Sequence, residues 1–224
     1  MLAASTALSK DWASYRRLYR FMMTAGGLLT ALHLLIALTP LYSLVVEGLI
    51  GAPLEIVAPA RLGLIVMTPW TWSIAYRRFN QGVLIRFGHS QTVGIGTMVR
   101  LSANLIVLLA GYNLAQALGP QLVPGILVGT AAVAAGVVSE AVYAGLAVRP
   151  ILRNEVRLAP PVEPALTWRA FFAFYIPLVM TSLLTLIANP IGSAALSRMP
   201  QSLASLATWP VVTGLIFMLR SMGV

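Results

Sequence analysis

The sequence predicts an all-α fold: a polytopic membrane helix bundle with about six transmembrane helices. Three observations carry this. The 224-residue chain is 58% hydrophobic and only 9% charged, with mean hydropathy +0.85, whereas soluble domains carry about 25% charged residues. Apolar segments long enough to span a bilayer core, roughly 20 residues, recur along it. Basic clusters alternate with acidic or neutral connections between those segments, which is the charge asymmetry of multi-pass membrane proteins.

The elements follow in order. Residues 1–20 are mixed and polar, with no short apolar run ahead of a small-residue cleavage site, so they read as a cytoplasmic or interfacial segment rather than a cleavable signal. Apolar segments are expected over 21–46, 58–76, 92–118, 123–148 and 170–196, with a last one from 203 to the end. Lys10, Arg16, Arg17 and Arg20 precede the first, and Glu47 and Glu55 follow it. Arg77, Arg78 and Arg86 follow the second, an uncharged turn the third, and Arg149, Arg153, Arg157 and Arg169 the fourth. The positive-inside rule then places the N-terminal segment and the 149–169 loop in the cytoplasm, most simply of a bacterial inner membrane. Trp12, Tyr15, Tyr19, Tyr76 and Trp168 fall where an aromatic belt is expected.

Residues 154–167 contain Pro160, Pro161 and Pro164 among mixed charges, and this composition resists helix. They divide a four-helix part, 21–153, from a two-helix part, 168–224. The last segment is still helical in character at its end, around Arg220, so the chain is expected to be a piece of a longer protein. Pro177 and Pro190 inside the fifth segment, and Pro69 in the second, are candidate bends.

The inventory excludes several chemistries. There are no cysteines, Asp11 is the only aspartate, and His33 and His89 are the only histidines. Thiolate metal sites, aspartate-rich diphosphate motifs and paired-carboxylate hydrolysis are therefore not expected. Neither are a metal, a cofactor or any enzymatic activity. The net charge of +9 is a topology signal, with anionic-lipid contact added, rather than a nucleic-acid footprint. The expected partners are the bilayer and a small, anionic solute.

Ionisable groups at membrane depth are expensive and face a bundle interior or a wet cavity. Glu140 is either a carboxylate that takes a proton or cation, or the partner of an arginine. Arg100 either snorkels to the headgroups or contacts an anion, and it has the reach to pair with Glu140. Arg61 reads as interfacial and His33 as a packing residue. Thr68, Thr71, Ser73, Asn104, Asn113, Thr181, Ser182, Thr185 and Asn189 suit interhelix hydrogen bonds. Asn189 stands out because Pro190 beside it frees a backbone carbonyl. The GxxxG of Gly125 and Gly129 suggests close packing against a neighbour.

Several strings carry a family resemblance: Phe174-Tyr175-Ile176-Pro177-Leu178, the run Asn189-Pro190-Ile191-Gly192-Ser193 ending in Ser197-Arg198, and Ala207-Thr208-Trp209-Pro210-Val211. They resemble the multidrug/oligosaccharidyl-lipid/polysaccharide exporter superfamily (MATE-like), and most closely the branch around the progressive ankylosis protein and its bacterial relatives. The resemblance implies that the chain covers the third to eighth helices of a twelve-helix, two-half transporter. It implies export of small anionic or amphipathic solutes by alternating access, with Asn189, Pro190, Arg198, Thr181, Glu140 and Arg100 as pathway candidates. The alternative is a non-transporting six-helix scaffold or assembly subunit.

Overall fold

The computed structural model describes residues 1–221, apart from the side chains of Thr185, Phe217, Arg220 and Ser221. The readings placed on Thr185, on Arg220 and on the final residues lie outside what is described. Among the described residues there is no strand, and the fold is an all-α bundle. The helices are α1 (Leu2–Leu8), α2 (Trp12–Leu38), α3 (Leu41–Ile50), α4 (Leu54–Val66), α5 (Thr68–Arg86), α6 (Ser90–Leu118), α7 (Gly125–Val156), α8 (Trp168–Ser197) and α9 (Ser202–Ser221). Four of them, α2, α6, α7 and α8, are long and apolar enough to cross a membrane, which makes this an integral membrane chain. Their outward faces carry exposed Leu101, Leu105 and Ile106 on α6 and Met180, Leu184 and Ile187 on α8, suited to acyl chains.

The second expected segment differs most. Residues 58–76 are split between α4 and α5, which meet at Met67. Pro69 stands at the start of α5 and has no N–H for the carbonyl one turn back. Thr68 Oγ1 donates to the Ile65 carbonyl at 2.8 Å, and His33 Nε2 lies 2.8 Å from the Leu64 carbonyl. Both bonds satisfy acceptors at the break. The Leu64 oxygen can only accept, so Nε2 carries the proton there. His33 Nδ1 meets Thr71 Oγ1 at 2.8 Å, which makes this residue a clasp between α2 and the break. Arg61 Nε donates to the Ala37 carbonyl at 2.8 Å, and its guanidinium lies over the Tyr42 ring, holding the end of α2.

Arg77, Arg78 and Arg86 are not a loop after that segment. They form the second half of α5, which passes through the middle of the bundle with Phe79, Asn80, Gln81, Gly82, Val83 and Leu84 all buried. Hydropathy falls there although the helix continues, because Arg77, Asn80 and Gln81 are buried inside the protein, with Arg77 and Gln81 on Glu140. The N-terminal segment also differs. α1 is buried on α5 through Ala4 and Ser5, and α2 begins at Trp12. Asp11 sets that start. Its Oδ1 accepts from the Ser14 N–H at 2.8 Å, and Ser14 Oγ accepts from the Asp11 N–H at 3.1 Å, a reciprocal cap that satisfies two orphan donors.

Asp11 Oδ2 also accepts from the Val162 N–H at 3.0 Å, tying the proline-rich connection to the head of α2. Arg157 stacks over Trp12, and Phe21 packs on Phe171, Phe172 and Tyr175. Burial by itself raises the Asp11 carboxyl, but the hydrogen bonds from Ser14 Oγ, Val162 N–H and Ser14 N–H outweigh it and hold the group below its ordinary value. A depressed carboxylate stabilises the fold above the unfolded-state value, about 3.9 for aspartate. That contribution disappears as pH falls toward the folded-state value. Asp11→Asn keeps a good helix cap but loses the charged acceptor for Val162, an effect of about 1.5–3 kcal/mol. Melting curves in detergent should show the wild type losing stability on acidification faster than the variant.

α8 runs as one helix through Pro177 and Pro190. Its first turns pack on the aromatic cluster through buried Phe171, while the rest is largely exposed.

Candidate functional site

α5 places Ser73, Arg77, Asn80 and Gln81 at helical spacing, and all four are buried. This polar stripe faces α7. Glu140, 1% exposed, receives the Arg77 guanidinium through Nη1 on Oε2, and Gln81 Nε2 donates to Oε1 at 2.8 Å. From α6, Arg100 Nε stands 3.6 Å from the same Oε2. One carboxylate is therefore shared by two arginines and an amide, on three helices.

Glycine makes this approach possible. A Cβ on Gly96 of α6 would meet Tyr143 Cδ1 at 3.3 Å and Glu140 Cγ at 3.5 Å. A Cβ on Gly136 of α7 would meet the Arg100 carbonyl at 3.0 Å and strike the Asn104 side chain. Lower on α7, a Cβ on Gly145 would meet the Tyr76 hydroxyl at 2.5 Å. The expected GxxxG contact is not made among the described residues, where a Cβ on Gly125 or Gly129 meets nothing within 4 Å. The close-packing glycines of α7 are Gly136 and Gly145 instead, because those face α6 and α5.

Charge is unbalanced at this centre. Arg77 is 4% exposed and Arg100 33%, against the single carboxylate. Arg78, next along α5, has no carboxylate within ion-pair distance among the described residues. Among the described residues, Arg77 Nε and Gln81 Oε1 at the pair, with Asn80 Nδ2 on α5 and Asn104 Oδ1 on α6, have no hydrogen-bond partner.

The sequence-derived candidates divide into two groups. Glu140 and Arg100 meet, as their reach allowed, but the shorter bond to Glu140 comes from Arg77. The α8 candidates stand apart from them. Thr181 and Asn189 are exposed, as is Pro190, and Thr181 Oγ1 donates to the Pro177 carbonyl at 3.0 Å. Arg198 reaches α3, where its Nη2 donates to the Leu49 carbonyl at 3.3 Å. The residues missed were Arg77, Asn80 and Gln81. Their signal was the stripe Ser73, Arg77, Asn80, Gln81, which repeats at one helical turn across the supposed end of a segment.

Comparison of the chain with known protein families, curated proteins and solved structures finds no match.

Proposed function

We propose that this chain is part of a secondary active transporter of the MATE-like, ankylosis-like kind, exporting small anionic or amphipathic solutes by alternating access. The observation that carries this reading is the Glu140 centre: two arginines on one carboxylate, with unpaired polar atoms, between helices that face lipid. Burying charge has a high desolvation cost, and such pairs are often less stable than apolar replacements, so packing alone is a weak reason for this one. An excess of arginine over carboxylate suits an anion that competes with Glu140 for a guanidinium. Arg100 is the more accessible of the two and takes the role of the exchanging partner, while Arg77 and Gln81 hold Glu140. The broken α4–α5 pair, whose break carbonyls are taken by the Thr68 and His33 side chains, belongs to the same reading, because discontinuous helices line transport sites. The string resemblance around Pro177–Pro210 supports the family assignment and a bacterial inner membrane, and the basic residues ahead of the first apolar segment support a cytoplasmic N-terminal segment.

A scaffold is the second reading. It is favoured by unbroken α8 and by the exposed position of Asn189 away from the Glu140 centre.

The test is flux by the full-length protein that carries this chain, in proteoliposomes preloaded with radiolabelled citrate or pyrophosphate. The transporter reading expects release above empty liposomes, and a loss of at least about tenfold in Arg100→Gln, equivalent to about 1.4 kcal/mol of lost anion contact. Release no faster than from empty liposomes, with the protein folded, sinks it and leaves the scaffold.

A further inference from the structure

A groove separate from the Glu140 centre lies between α1, α5 and α8. Its volume is about 430 Å³. Leu2 and Ala3 of α1 form one wall, and Leu178, Val179, Leu183 and Leu186 of α8 form the other. Arg78 supplies a cation at its α5 side, with the Met1 end of α1 in the same lining, and Tyr175 and Ser182 supply hydroxyls. From Tyr175 to Leu186 the groove follows α8 for about 16 Å, at 1.5 Å per residue.

We infer that this groove is a binding site for an anionic phospholipid, with the lipid phosphate on Arg78 and an acyl chain along the α8 leucines. Three features select this occupant. Arg78 has no carboxylate within ion-pair distance among the described residues, and its neighbour Arg77 is already committed to Glu140. Arg78 is exposed beside the aliphatic wall, and a lipid phosphate supplies the missing charge with acceptors that fit a guanidinium fork. Apart from Arg78, Met1, Tyr175 and Ser182 the lining is aliphatic, which suits an acyl chain. The Tyr175 end of the groove is the one toward the start of α8. Tyr175 is two helical turns along α8 from Trp168 and Arg169, which sit where an aromatic–basic interface belt is expected. Basic pockets between transmembrane helices commonly take anionic headgroups. This inference does not require that the chain transports anything.

Native mass spectrometry of the protein released from detergent tests it, using phosphatidylglycerol and phosphatidylcholine of identical acyl chains in competition. Wild type should retain phosphatidylglycerol with a preference of about fivefold, the effect of one arginine near a membrane surface. Arg78→Ala should abolish that preference, Arg78→Lys should keep most of it, and Leu183→Trp, which fills the groove, should reduce retention of both lipids. Arg16→Ala, at an exposed site on α2, should change nothing. An undiminished preference in Arg78→Ala overturns the assignment. So does an equal loss in Arg16→Ala, which would make the preference a general surface-charge effect. Retention of both lipids by Leu183→Trp at wild-type level overturns it as well.

Discussion

Glu140→Leu should lower the unfolding free energy by roughly 3–5 kcal/mol, the cost of leaving a buried partner charge uncompensated. The reason is the number of groups it strands. Arg77 is almost fully buried and loses its ion pair, Gln81 Nε2 loses its acceptor, and Arg100 loses the carboxylate it leans toward. Arg77→Met should cost less, because Arg100 remains within reach of Oε2 and can close on it. This asymmetry separates a shared carboxylate from a simple pair, in which either deletion would cost about the same. It can be read from thermal unfolding of both variants in the same detergent. A cost for Arg77→Met equal to or above that for Glu140→Leu would mean that Arg100 does not share the load.

The second large effect is expected at Gly82. Its position on α5 is pressed by α1: a Cβ there would strike the Ser5 side chain and stand 2.5 Å from the Leu2 carbonyl. That oxygen is backbone, so it cannot swing away as a side-chain tip would. Gly82→Leu should therefore lift α1 off α5, with an overpacking cost of about 1–3 kcal/mol. The absence of native cysteine gives a clean readout. Ser5 is 1% exposed, so Ser5→Cys should resist a soluble maleimide in the parent protein and react as an open thiol once Gly82→Leu is added. Equal protection in both would mean that the contact yields without moving the helix.

The parts legible in the sequence were those governed by composition. Long apolar helices, their number within a few, and the proline-rich break before α8 follow from hydropathy and from the missing proline donor. Glu140 stood out because a carboxylate within an apolar run is conspicuous. Its main partner did not, because Arg77 sits where hydropathy falls, just past the apolar segment that ends at Tyr76. Hydropathy averages over a window and is blind to whether a polar side chain meets water or another side chain. The helical spacing of Ser73, Arg77, Asn80 and Gln81 held that information, and a carboxylate one helix away was needed to give it meaning. The start of α2 was misplaced for a related reason: Asp11 with Ser14 is a capping signal inside a stretch that looked interfacial by charge. The exposed positions of Thr181 and Asn189 depend on how α8 packs, and no local pattern encodes that.

The bond between Arg77 and Glu140 is the centre of this account, and a double-mutant cycle measures it directly. Unfolding free energies of wild type, Arg77→Met, Glu140→Leu and the double variant give the coupling between the two sites. The double variant removes both buried charges and should be more stable than Glu140→Leu alone, with a coupling of about 2 kcal/mol or more, within the range for contacting buried pairs. Additive effects, with coupling inside about 0.5 kcal/mol, would contradict the ion pair and with it the three-helix centre on which the functional proposal stands.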